Sequence, residues 1–205
     1  MTIRTRGIRN ALTALATGTA LALAAVPATA AARTAEAPAF LDPADLPPHP
    51  SSPWYAGPVT AGRPDPLPIC VGDALPSVSV HRAYWTDLDT NAVQITVVER
   101  DAQRAAGFAA LLRADLAGCA KKLQAQSPDI TAAKRYYGKV KVAAGAHVYG
   151  IHTTATWGAS GIALFSVGRE GRTVTVVKWS QMGSFRDAPV KAFKATTRTA
   201  VDKLS

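Results

Sequence analysis

Alternating and helically spaced apolar residues give the second half of the chain a clear reading. His81–Asp87 (HRAYWTD) and Ala92–Glu99 (AVQITVVE) are rich in β-branched and aromatic residues. The turn-forming Leu88-Asp89-Thr90-Asn91 between them predicts a hairpin. From Ala102 to Gln124, Ala105, Phe108, Leu112, Leu116, Cys119 and Leu123 recur at intervals of three and four, one face of a helix, with Asp101 as its N-cap and Ser127-Pro128-Asp129 as its end. Arg104, Arg113, Lys121 and Lys122 fall largely off that stripe and are expected to face water. Four further strands fit Ile130–Tyr137, Ala146–Thr156, Gly161–Arg169 and Arg172–Ser180, with Glu170-Gly171 as a tight turn between the last two. Ile162–Val167 is apolar on both faces, which predicts a central strand covered from both sides. Asp187-Ala188-Pro189 reads as the start of a final helix, with Val190, Phe193, Thr197, Ala200, Val201 and Leu204 inward. The order ββ-α-ββββ-α predicts an α+β fold: an antiparallel sheet of about six strands with two main helices packed on it.

Prolines change the picture upstream. They recur from Phe40 to Pro76, where the missing donor and fixed φ predict an extended arm over the domain surface. Phe40-Leu41, Leu46, Trp54-Tyr55 and Leu67-Pro68-Ile69 are the apolar groups that would dock it. Residues 31–39 are small and unpatterned, a flexible leader to a single domain over 40–205. The first ten residues carry Arg4, Arg6 and Arg9 and no acid; an uncharged run from Ala11 to Ala25 follows, then Pro27 and the small-x-small pattern ending at Ala28 and Ala30. This is a cleavable export signal over residues 1–30, too short in its apolar part to span a bilayer. Thr5 separates the arginines, so the twin-arginine address is absent, and no cysteine near the cleavage site could carry a lipid. A secreted protein without a stable membrane anchor is expected.

Charge and cysteines refine that expectation. Removing 30 of 205 residues leaves 175, enough for one real core. Three of the 23 bases leave with the signal while all 14 acids stay, so the net charge falls from +9 to +6. That excess favours anionic wall polymers, lipid head groups or acidic ligands. Nucleic acid is disfavoured by export and by the absence of a nucleic-acid motif. Two cysteines in an exported chain imply a disulfide, Cys70 to Cys119. Closing a loop of about 50 residues, it would stabilise the fold by roughly 4 kcal/mol.

Catalytic chemistry is sparse. There is no G-x-S-x-G elbow (Gly158-Ala159-Ser160-Gly161 has another spacing), no phosphate-binding loop and no close cysteine pair for zinc. His147 and His152 differ by five along a strand and so point to opposite faces. No cofactor and no metal are expected. Aromatic residues are the more suggestive signal, since rings with polar edges line small-molecule clefts. Trp85, Tyr149, His152, Trp157, Trp179 and Phe185 are the candidate ligand-binding residues, with a mouth expected near 157–161 and 181–185. The reading is a monomeric, non-enzymatic domain for an extracellular small molecule or wall component. Two alternatives stand beside it: a secreted hydrolase assembling His81, His152 and a carboxylate such as Asp87, and an inhibitor or interaction protein using the arm over 43–68.

Phe40-Leu41-x-x-x-Asp45-Leu46-Pro47, then Trp54, Leu67-Pro68-x-Cys70, a hairpin, a helix from Ala105 to Cys119 and a terminal helix after a Val-rich hairpin form a recognisable arrangement. It resembles secreted proteins similar to the extracellular sensor domain of PknH-type bacterial serine/threonine kinases, over about residues 40–205. The resemblance implies an antiparallel sheet flanked by two helices, a ligand cleft, and a structural role for Cys70–Cys119. Kinase-linked sensor domains carry a second disulfide, for which this chain lacks the cysteines, and no kinase domain accompanies the sensor-like region. Ligand binding or partner presentation, rather than transduction through its own chain, is the expectation.

Overall fold

A computed structural model describes residues 38–142 and 144–205. The predicted export signal, with Ala28 and Ala30, and residues 31–37 of the leader lie outside the described residues. Eight strands form one sheet: β1 (Tyr55–Ala56), β2 (Thr60–Ala61), β3 (Val80–Trp85), β4 (Asn91–Val98), β5 (Ile130–Val140), β6 (Ala146–Ala155), β7 (Ser160–Glu170) and β8 (Thr173–Met182). The order is β1-β3-β4-β8-β7-β6-β5, with β2 also beside β3, and every pairing is antiparallel. The two helices are α1 (Ala102–Gln126) and α2 (Val190–Asp202). This is the expected α+β fold, and the six predicted strands are all present. The additions are β1 and β2, two residues each, contributed by the proline-rich arm; chain poor in N–H donors pairs only briefly and at a sheet margin.

Two-residue alternation gives the sheet two buried faces. On central β7, Ile162 and Leu164 turn towards α2, while Ala163, Phe165 and Val167 turn towards α1. The α2 side is closed by Phe193, Ala200 and Val201 together with Leu41, Leu46 and Trp54 of the arm. The α1 side is closed by Leu112, Leu116 and Cys119 together with Val71 and Leu75. The helices therefore lie on opposite faces, and each needs help from the arm to cover its side. Cys70 and Cys119 are joined, Cα atoms 5.3 Å apart, which fastens the end of the arm to α1. At Gly168 a Cβ would stand 2.3 Å from a Val201 methyl, so α2 rests directly on the β7 backbone.

Local signals explain the boundaries. The Asp101 carboxylate accepts the Arg104 N–H at 2.8 Å and starts α1 as expected. Asp187 does not cap α2. Its carboxylate already accepts the Ser184 N–H (2.7 Å) and hydroxyl (3.0 Å), closing a turn, and α2 begins only after Pro189. β8 runs on to Met182 because Gly161 at the start of β7 offers it a partner. β5 continues to Val140 past a bulge between Tyr136 and Gly138.

The arm is held chiefly at one residue. The Leu41 N–H donates to Oε1 of fully buried Gln94 at 2.7 Å, and the Leu41 carbonyl accepts from the Tyr84 hydroxyl (2.8 Å) and an Arg82 N–H (3.1 Å). Gln94 spends its amide N–H on the Thr175 hydroxyl at 3.2 Å. A second clamp lies nearby, where the Lys203 ammonium meets Asp42 (2.6 Å) and Asp45 (2.8 Å). Burial pushes the Asp45 carboxyl up, but Lys203 and the Asp42 N–H outweigh it and hold the group below its ordinary value.

Gln94→Leu would leave the Leu41 N–H without its partner and remove one donor from the Thr175 hydroxyl, at a cost of about 1–3 kcal/mol. A chemical-denaturation midpoint should fall accordingly, and an unchanged midpoint would refute the clamp. The Asp45 contribution is complete above its ordinary value of 3.8 and is lost as pH falls through the lower folded value. Lys203→Met should therefore cost up to about 1 kcal/mol near neutrality and shrink the wild-type advantage in melts run below about pH 4.

Candidate functional site

Thr96 follows Gln94 on the same face of β4, two residues along the strand. The arm hydrogen-bonds to Gln94 but not to Thr96. The Thr96 hydroxyl is buried and has no hydrogen-bond partner, an arrangement that costs about 1–3 kcal/mol when nothing compensates it. It borders a groove of about 360 Å³. Val80 and Val98 flank it on the sheet, Pro38, Ala39 and Phe40 form one wall, and Val59 and Val78 approach from the arm. Val78 is 72% exposed, Val59 52% and Val98 42%, so apolar surface that a folded chain would normally bury is left open here. Val98 lies opposite Thr173 at the start of β8, which places the groove at the end of the sheet where β4 and β7 finish.

The six aromatic and histidine candidates are distributed differently. His152 and Phe185 do meet, with ring centroids 5.4 Å apart, and the Arg135 guanidinium stacks 4.2 Å from the Phe185 ring. Trp157 is 69% exposed in the β6–β7 turn. Trp179 is buried in the α2-side core and borders a more polar cleft with His49, Gln181 and Asp187. Tyr149 faces α1, tilted against Tyr136 with centroids 5.1 Å apart. Trp85, on the margin strand β3, stacks on Tyr55. None of the six borders the apolar groove. Gln94 and Thr96 carry no distinguishing signal in a strand identified only by its richness in β-branched residues.

The residues of the hydrolase alternative are not brought together. His81 is on β3 and His152 on β6, four strand steps apart in the sheet order, or about 19 Å at ~4.8 Å per step. His81 donates from Nδ1 to the Gly62 carbonyl at 2.9 Å, and Asp87 accepts from Ser52 and Tyr55. His152 Nε2 lies 3.0 Å from the Ser160 hydroxyl. That hydroxyl gives its proton to the Gly183 carbonyl at 3.1 Å, so the imidazole must donate to Ser160 and cannot act as its base there. His147 and His152 occupy opposite faces, as the spacing predicted.

Among the described residues, no group of three or more His, Cys, Asp or Glu side chains could hold a metal ion, and no helix is long and apolar enough to cross a membrane. Comparison with protein-family models, curated proteins and solved structures finds no match.

If the Thr96 hydroxyl is unsatisfied in the empty groove, Thr96→Val should stabilise the free protein by about 1 kcal/mol. For a chain of this size that is a rise in melting temperature of ~2–4 °C. A fall would show that the hydroxyl has a partner.

Proposed function

We propose that this chain is an exported, non-enzymatic binding domain whose ligand occupies the groove over Thr96. The observation that carries the reading is the pairing of an apolar cavity with a single unsatisfied buried hydroxyl. Small-molecule sites are typically cavities of ~300–1,000 Å³, apolar in lining, with a few polar atoms that orient the occupant. At about 360 Å³, the groove suits a compact, mostly apolar molecule with one hydrogen-bonding group directed at Thr96. The disulfide and the absence of a membrane-length helix among the described residues are compatible with life outside the cell. The arginine-led N-terminal segment and the sensor-domain resemblance point the same way, towards capture of an extracellular small molecule. A fixed scaffold surrounds the groove, since the arm is held at Leu41 immediately beside it.

Nile red, an uncharged apolar dye, serves as a probe of the groove. It should bind once per chain. Val98→Glu, at an exposed position, should abolish binding, and Thr96→Val should weaken it about fivefold to tenfold, the net worth of one hydrogen bond. Native mass spectrometry of protein recovered from culture supernatant should show a retained molecule that Val98→Glu loses. Dye binding and retention that ignore Val98→Glu would exclude the groove as the site.

A further inference from the structure

On the opposite face of the same sheet end, basic side chains from four elements converge without an acid. Arg113 lies one helical turn beyond Ala109 on the α1 stripe that faces the sheet, and it is half-buried rather than turned to water as the sequence pattern suggested. Its guanidinium donates to His147 Nε2 on β6 at 2.9 Å. That contact leaves Nε2 unprotonated, so the Nδ1 proton points to the Tyr136 hydroxyl on β5, 2.8 Å away. The Tyr136 O–H remains free to donate. Lys139 pairs across the strands with His147. Its ammonium folds over Gly145, where a Cβ would stand 3.0 Å from Nζ. Arg169 at the end of β7 uses one N–H on the Gly171 carbonyl at 3.0 Å and borders the same cleft as Arg113 and His147. Among the described residues, none of these bases forms a salt bridge. Glu99 is engaged by Arg104, and Asp115 acts on Lys122. Burial first, then the Arg113 and Lys139 charges, hold the His147 imidazole below its ordinary range.

We propose that this cleft, lined by Arg113, His147 and Arg169 with Lys139 beside it over Gly145, is a binding site for a compact tetrahedral oxyanion, a phosphoryl or sulfate group. Its volume of about 90 Å³ admits a few waters or one such group and excludes a sugar ring. Donors arriving from α1 (Arg113), β5 (Lys139) and β7 (Arg169) match acceptors that point in several directions, which favours a tetrahedral anion over a planar carboxylate. Leaving arginines, a lysine and an imidazole together without a counter-charge is costly in an empty cleft, and an anion removes that cost through charge-assisted hydrogen bonds. The groups facing His147 are Arg113, Lys139, Tyr136, Tyr149 and the incoming anion. Protonation of His147 at Nε2 displaces the Arg113 N–H, which frees both groups to donate to the anion; the anion favours the imidazolium, so protonation and binding reinforce each other. The site is separate from the Thr96 groove and does not depend on that assignment.

The test is titration of the intact protein with sodium sulfate, followed by amide and imidazole NMR signals. Sulfate keeps its charge between about pH 7.5 and 5.5, the range in which histidine titrates. Saturable shifts are expected at Gly145, His147 and Gly168, with affinity rising several-fold as pH falls across that range. Arg169→Gln should weaken binding about tenfold, the loss of one charge-assisted hydrogen bond. Inorganic phosphate and phosphatidylglycerol vesicles identify the source. Shifts with sulfate and phosphate assign a free oxyanion. Binding confined to vesicles, and lost in Arg169→Gln, assigns a lipid phosphate. No saturable shift with either salt and no vesicle binding, or binding indifferent to Arg169→Gln, would overturn the proposal.

Discussion

Capture of the Leu41 backbone N–H and carbonyl is the constraint on which much of the architecture rests. The sheet has two apolar faces and only one helix for each. A 13-residue helix such as α2 cannot cover every strand on its side, so the β3–β4 half depends on a segment with almost no secondary structure of its own. Proline-rich chain cannot secure itself by a ladder of backbone hydrogen bonds. Side chains from the sheet do so instead: Gln94 takes the Leu41 N–H, and Tyr84 and Arg82 take its carbonyl. Leu41, Leu46 and Trp54 can then bury as if they belonged to a helix. A buried glutamine and tyrosine in a β-sheet would otherwise carry a desolvation cost; here both are satisfied by the arm, and the arm by them.

The same logic applies on the other face. Val71 and Leu75 fill the space beside α1, with the Cys70–Cys119 bridge fixing that stretch to the helix. The arm is thus anchored near its beginning by polar contacts and at its end by a covalent one. Between those anchors it contributes two short strands to the sheet margin, where β3 would otherwise present a long unpaired edge.

Most of this frame could be read from the sequence, because it follows from periodicity. The α1 stripe, the Asp101 cap, the doubly buried β7 and the pairing of two lone cysteines are all local or combinatorial inferences. What stayed hidden depended on a second segment arriving from elsewhere. Gln94 looks like an ordinary polar residue of a strand until the arm is placed over it. Arg113 looks like a solvated helix cation until β6 brings His147 to it. Asp187 looks like a helix cap until Ser184 is seen to claim its carboxylate. In each case the residue type was legible and its partner was not.

The two proposed sites share one end of the sheet. α2 ends at Asp202 and the described arm begins at Pro38, both at the sheet end where β4 and β7 finish. Beyond Gln94 the Thr96 hydroxyl has no hydrogen-bond partner among the described residues, and on the reverse face Arg113, His147 and Arg169 line a cleft with alanine, glycine and valine. The exposed Trp157 and the Phe185 stack belong to the opposite end, where β6, β7 and β8 turn. Aromatic side chains in turns drew attention there because rings are easy to see in a sequence. An uncompensated polar group is not, since it is defined by what the rest of the fold brings to it. At this end the polar groups left uncompensated are a hydroxyl on one face and several cations on the other, and their chemistry differs enough that one small ligand could not serve both.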